Sequence, residues 1–278
     1  SAFAGSARRF SGQLVQESLR RFLMTLWNTY SFFVTYANID GFDPDDHQDK
    51  WNGDVGGPSL RRPLSNELDR WIISELNDLV LGVTGELDDY NPTDAGRRIE
   101  EFVDLLSNWY VRRSRRRFWK SENDEDKSWA YVTLYSSLLT LSRLMAPLAP
   151  FIADEMFRNL TRLRSTKSVH LADYPIGDQL LVDETLDRAT RYAMRIASLG
   201  RAARSKSNVK VRQPLSRILV RPRAGDEMLI DIVRDQVIDE LNVKELQIVT
   251  EDWESSISVK PNLRVLGPKY GDEIIDFV

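Results

Sequence analysis

Five of the six residues from 112 to 117 are arginines: Arg112, Arg113, Arg115, Arg116 and Arg117. Trp109, Tyr110, Phe118 and Trp119 flank them. Guanidinium groups are permanently charged forks that hold phosphate oxygens in pairs, and adjoining aromatic faces stack on bases or sugars. At 3.6 residues per turn, Ile99, Phe102, Val103, Leu106, Trp109 and Tyr110 form one inward stripe, and two further turns carry it onto Arg113 and Arg117. A guanidinium is almost never buried without a partner. The helix therefore either leaves its bundle near Tyr110 or turns these arginines into a polar cleft holding carboxylates. Some of this charge answers the dipole of a helix C-terminus, where Glu122, Asp124, Glu125 and Asp126 can pair with one or two arginines. Five exceed what capping requires, so the expectation is that they face outward, with Phe118 and Trp119 as core anchors.

A second basic stretch reinforces the first. Residues 188–217 carry nine cations (Arg188, Arg191, Arg195, Arg201, Arg204, Lys206, Lys210, Arg212, Arg217) and no acid. The formal net charge of the chain is −4, and residues 36–96 hold fourteen acids against four basic residues. Two cationic stretches in an acidic chain raise local positive potential and tilt the reading toward a polyanion partner. The competing account is a scaffold whose basic faces serve only its own fold or a protein partner.

Other chemistries are excluded by what the chain lacks. It has no cysteine, so disulfides, thiolate catalysis and cysteine zinc sites are ruled out. Its two histidines, His47 and His170, cannot make a histidine metal site; the first reads as solvated, the second as structural. No glycine-rich phosphate loop, nucleophile elbow or helical His-Glu-x-x-His occurs. No apolar run approaches the ~18–20 residues of a membrane helix. By its residues alone the chain is a binding module with no catalytic residue, metal site or cofactor.

The elements that position the arginines are mostly helices. Apolar spacing predicts helices over 14–36, from about 66, from Asn91-Pro92 to about 120, after Asp124, over 150–163 and over 183–205. A small α/β unit follows, with strands at 215–220 and 246–250, a helix at 228–238 and a possible short strand at 257–260. The fold class is mainly α: a helical bundle over residues 8–175, then a long basic helix and a small α/β subdomain over 176–278.

Several segments carry a family likeness. Residues 26–40 (Leu-Trp-Asn-Thr-Tyr-Ser-Phe-Phe-Val-Thr-Tyr-Ala-Asn-Ile-Asp), Leu68-Asp69-Arg70-Trp71-Ile72 and 108–119 closely resemble the region after the catalytic core in isoleucyl-tRNA synthetases. So do Ser168-Val169-His170-Leu171, the stretch from Asn208 to Leu215, the stretch from Glu240 to Glu245, and Leu266-Gly267-Pro268-Lys269-Tyr270-Gly271. The valyl enzymes share the general plan. The resemblance implies a class I anticodon-binding helical bundle with a small α/β extension, packed against a catalytic core that ligates isoleucine to its tRNA with ATP and magnesium. The core signatures His-Ile-Gly-His and Lys-Met-Ser-Lys-Ser are absent, so the expectation is a C-terminal fragment of a cytoplasmic ligase, inactive alone and continuing past Val278. Its expected partners are isoleucine tRNA and the core of its own parent chain, with no membrane and no DNA. The tRNA contacts are expected from Arg112, Arg113, Arg115, Arg116 and Arg117, with Trp109, Tyr110 and Trp119 shaping that helix. Lys206, Lys210 and Arg212 would form a second strip, and Trp27, Asn28 and Tyr30 are candidates for reading bases.

Overall fold

Side-chain caps set the starts of several helices in the computed structural model, which describes residues 11–47, 50, 64–120, 124–161 and 168–249. Helix α1 (Gly12–Ser18) passes through a π-helical turn, Leu19–Leu23, into α2 (Met24–Asp40). Gly41 ends α2 in the left-handed region at φ 64°, which a residue without Cβ adopts without strain, and returns its N–H to the Ala37 carbonyl. Asn66 caps α3 (Glu67–Asp88) by accepting the Leu68 N–H at 2.9 Å. Asn91 caps α4 (Pro92–Leu105), with proline in its first turn. A second π-helical turn, Leu106–Val111, joins α4 to α5 (Arg112–Trp119). Asp124 caps α6 (Glu125–Met145), and Pro150 opens α7 (Pro150–Leu160).

Helix α6 is the centre of the bundle. It is buried on every side from Trp129 to Met145, not along one stripe. Most of its polar residues there are small: the Ser137 hydroxyl donates to the Thr133 carbonyl at 2.8 Å, and Ser142 to Leu139 at 2.7 Å, while the buried Arg143 lies over the Phe157 ring. Around it pack α2, α3, α5 and α7, and α4 lies against α3.

Helix α8 (Glu184–Lys206) is long, and the chain divides inside it into two compact units, Ser1–Arg195 and Ile196–Val278. In the first unit the segment leading to α8 runs back along α3. The Asp178 N–H bonds to Asn77 Oδ1 (2.9 Å) and the Asp183 N–H to Ser74 Oγ (2.7 Å). Arg191 then bridges Glu75 and Glu101, each at 2.8 Å.

The second unit contains the end of α8, β1 (Ile218–Val220), α9 (Glu227–Ile232), α10 (Arg234–Leu241) and β2 (Leu246–Ile248). The strands pair in parallel, Ile218 opposite Leu246 and Val220 opposite Ile248, so a crossover must separate them, and α9 and α10 supply it. The helix expected over 228–238 is two, broken at Val233 and ending on Asn242 at φ 48°. Ile230, Val233, Val237, Leu241, Val243 and Leu246 form this unit's core. The strand expected at 257–260 and the motif at 266–271 lie outside the described residues.

Candidate nucleic-acid interface

Helix α5 stays in the bundle and turns one arginine into a carboxylate cleft. Ser114, Arg117 and Phe118 face inward, while Arg112, Arg115, Arg116 and Trp119 are exposed and Arg113 is half-buried. Past the π-helical turn, Ser114, Arg117 and Phe118 follow Tyr110 at ordinary helical spacing, so this face of the helix stays against the bundle.

Arg117 is 7% exposed and makes a bidentate pair with Asp69, Nη1 to Oδ1 at 2.7 Å and Nη2 to Oδ2 at 2.6 Å. Its Nη2 also meets Asp126 Oδ1 at 2.9 Å. The fully buried Tyr110 donates its hydroxyl to Asp69 Oδ1 at 2.7 Å. Burial opposes the charge on Arg117, yet Asp69, with Tyr110 and Asp126 beside it, raises its pKa above the usual arginine range. Burial also pushes the Tyr110 hydroxyl well above its ordinary value, reinforced by the Asp69 carboxylate. The group is therefore an ionised Arg–Asp pair with a neutral phenol.

The expectation of outward arginines thus fails for Arg117, which is spent on Asp69. Tyr110 and Trp109 are likewise internal, though Trp109 carries the Arg112 and Arg113 guanidinium groups over its ring at 5.6 and 5.4 Å. Trp119, expected as a core anchor, is 57% exposed. Phe118 is a core anchor, edge-on to Phe32 and Tyr131. Arg115 and Arg116 are exposed and meet no carboxylate among the described residues. Arg112 is exposed and bonds through Nε to the Asn108 carbonyl at 2.8 Å. Sequence reasoning missed Asp69 as the partner. The signal was available: Asp69 falls on the same helical face as Ile72, Ile73, Leu76 and Val80, and an acid on an apolar stripe requires a buried cation.

Lys206, Lys210 and Arg212 are all exposed, with no acid paired to them among the described residues. Arg201 is neutralised by Glu240 at 2.9 Å, and Arg204 is buried. Of the base-reading candidates, Trp27 and Asn28 are exposed and Tyr30 is buried. His47, expected to be solvated, stacks on Phe42 and meets Ser128 Oγ at 3.2 Å; His170, expected to be structural, is exposed. No helix among the described residues is long and apolar enough to cross a membrane. No group of three or more acids and histidines among them is placed to hold a metal ion.

A family profile for the anticodon-binding domain of tRNA ligase matches residues 69–219, which span α3 to β1 and include both basic stretches. The chain is 54% identical over 248 residues to an isoleucine–tRNA ligase of Dehalococcoides mccartyi, covering 88% of this chain and 23% of that one. Against the isoleucine–tRNA ligase of Porphyromonas gingivalis the identity is 46% over 267 residues, 95% of this chain and 22% of that one. With that of Thermus thermophilus it is 43% over 270 residues, 95% and 25%. The chain therefore spans about a quarter of the length of these relatives. With its profile match covering more than half its length and its arginine-bearing helix inside that match, the chain belongs to the anticodon-binding domain family of tRNA ligases.

Proposed function

We propose that this segment is the tRNA-docking part of an isoleucine–tRNA ligase, and that the outer face of α5 grips the phosphates of isoleucine tRNA. The observation that carries the reading is the division of labour on one helix. Arg117, locked to Asp69, fixes α5 against α3, so Arg115 and Arg116 project from a rigid base without carboxylate partners among the described residues. Arg112 and the exposed Trp119 ring extend the same outer surface. Such guanidinium groups hold the register of an RNA backbone without selecting its sequence. Lys206, Lys210 and Arg212 supply a second set of phosphate contacts. Isoleucine activation with ATP and magnesium belongs to a catalytic core elsewhere in the cytoplasmic parent chain, and this segment carries no catalytic group of its own.

The relatives' names support isoleucine tRNA over valine tRNA. Filter binding of the 278-residue chain with isoleucine and valine tRNA as competitors tests this at two salt concentrations. Retention that falls with salt and is displaced better by isoleucine tRNA is expected. Salt-insensitive retention would favour a protein-interaction scaffold, and better displacement by valine tRNA would reassign the substrate.

A further inference from the structure

The loop that follows α8 is held from the inside by two side chains. Arg204, 5% exposed, donates through Nη1 to the carbonyls of Lys210 (3.0 Å) and Gln213 (2.9 Å). Its Nη2 donates to the carbonyls of Leu241 (2.6 Å) and Asn242 (3.2 Å). Asn242, left-handed at φ 48°, donates Nδ2 to the carbonyls of Val211 and Arg212, both at 3.1 Å. Four successive carbonyls, 210 to 213, therefore point at these two side chains. Backbone bonds close the arrangement: Val209 N–H to Arg204 (2.8 Å), Leu215 N–H to Asn242 (3.1 Å) and Lys244 N–H to Leu215 (3.0 Å). The two sequence segments 208–215 and 240–245 are thus one stapled unit.

Two features go beyond what holding a loop requires. With its carbonyls turned inward, the loop carries Lys210, Val211 and Arg212 exposed on its outside. The buried clamp is a full positive charge satisfied by neutral carbonyls, with no carboxylate paired to it among the described residues. A buried cation normally recruits an acid. Left uncancelled, Arg204 adds its field to Lys206, Lys210 and Arg212 and strengthens attraction for an anion above the loop.

We propose that Arg204 and Asn242 are positioning residues for RNA phosphate contact: they fix the loop so that Lys210 and Arg212 meet the RNA backbone already ordered. This rests on the reading of Lys210 and Arg212 as phosphate contacts. A loop of like charges left free would have to be ordered on binding, and each long side chain immobilised then weakens association.

The test is a cycle of variants of the 278-residue chain, with isoleucine tRNA as the probe. Asn242→Gly keeps a residue at ease in the left-handed region and removes only the two side-chain bonds to Val211 and Arg212. Its expected effect is about tenfold weaker binding, the loss from ordering one or two side chains at the moment of association. In a Lys210→Gln/Arg212→Gln background the same change should cost nothing further, because the groups it positions are gone. Arg204→Lys, which keeps charge but cannot fork to four carbonyls, should follow the same pattern, with thermal melting confirming the fold. Equal losses in both backgrounds, or no loss in either, would overturn the positioning role. Unchanged binding in Lys210→Gln/Arg212→Gln alone would instead remove the loop from the RNA interface, a separate failure visible before Asn242 is altered.

Discussion

Asp69 decides what the arginine helix can do. Its carboxylate holds Arg117 in a fork and accepts the Tyr110 hydroxyl, all inside the bundle. Removing Arg117 leaves the Asp69 charge buried and unpaired, so Arg117→Met should destabilise by about 3–5 kcal/mol in urea unfolding, and Asp69→Leu by less, because Asp126 still meets Arg117 at 2.9 Å. The double variant should cost less than their sum, since no orphan charge remains. The first unit also holds a half-buried acid, Asp187. Burial, with Glu75 nearby, pushes it up to about 7, although Ser74 Oγ donates to it at 2.8 Å. The sign follows from linkage: the folded chain holds this proton more tightly than the unfolded one. Asp187 therefore opposes folding above pH about 7 and is relieved as pH falls toward 4. Asp187→Asn should raise the melting temperature at pH 8 and leave it nearly unchanged at pH 4. Types and faces were readable from sequence here; the pairing itself was not, because Asp69 and Arg117 meet only once α3 and α5 both pack against α6.

At the scale of elements, caps were the most legible feature. Asn66, Asn91 and Asp124 begin helices where their acceptor side chains predict it. The π-helical turn at 106–111 was not legible, since inserting it changes no composition and breaks no apolar run. Burial of α6 on all sides was also hidden, because residues such as Ser137 and Ser142 read as a polar face until their hydroxyls turn back to the helix's own carbonyls. Glycines separate local from tertiary demands. Gly85, with nothing near its missing Cβ, should gain about 0.5–1 kcal/mol on change to Ala. Gly200 should lose about 1–3 kcal/mol by the same change, because its Cβ would lie 2.5 Å from the buried Leu241 side chain. Thermal unfolding of the two variants checks both signs.

Across the described residues as a whole, the balance of charge conceals how many cations are already paired. Arg117, Arg191, Arg201 and Arg204 are consumed by carboxylates or carbonyls within their own units, so a count of basic residues overstates the surface available to RNA. On α5, Arg115 and Arg116 are exposed and meet no carboxylate among the described residues. The measurement that bears most directly on the claim that this face grips tRNA is the salt dependence of isoleucine tRNA binding by the folded Arg115→Ala/Arg116→Ala variant. Loss of two phosphate contacts should weaken binding and reduce the slope of log affinity against log salt by about one to two units. An unchanged affinity and an unchanged slope would contradict the account.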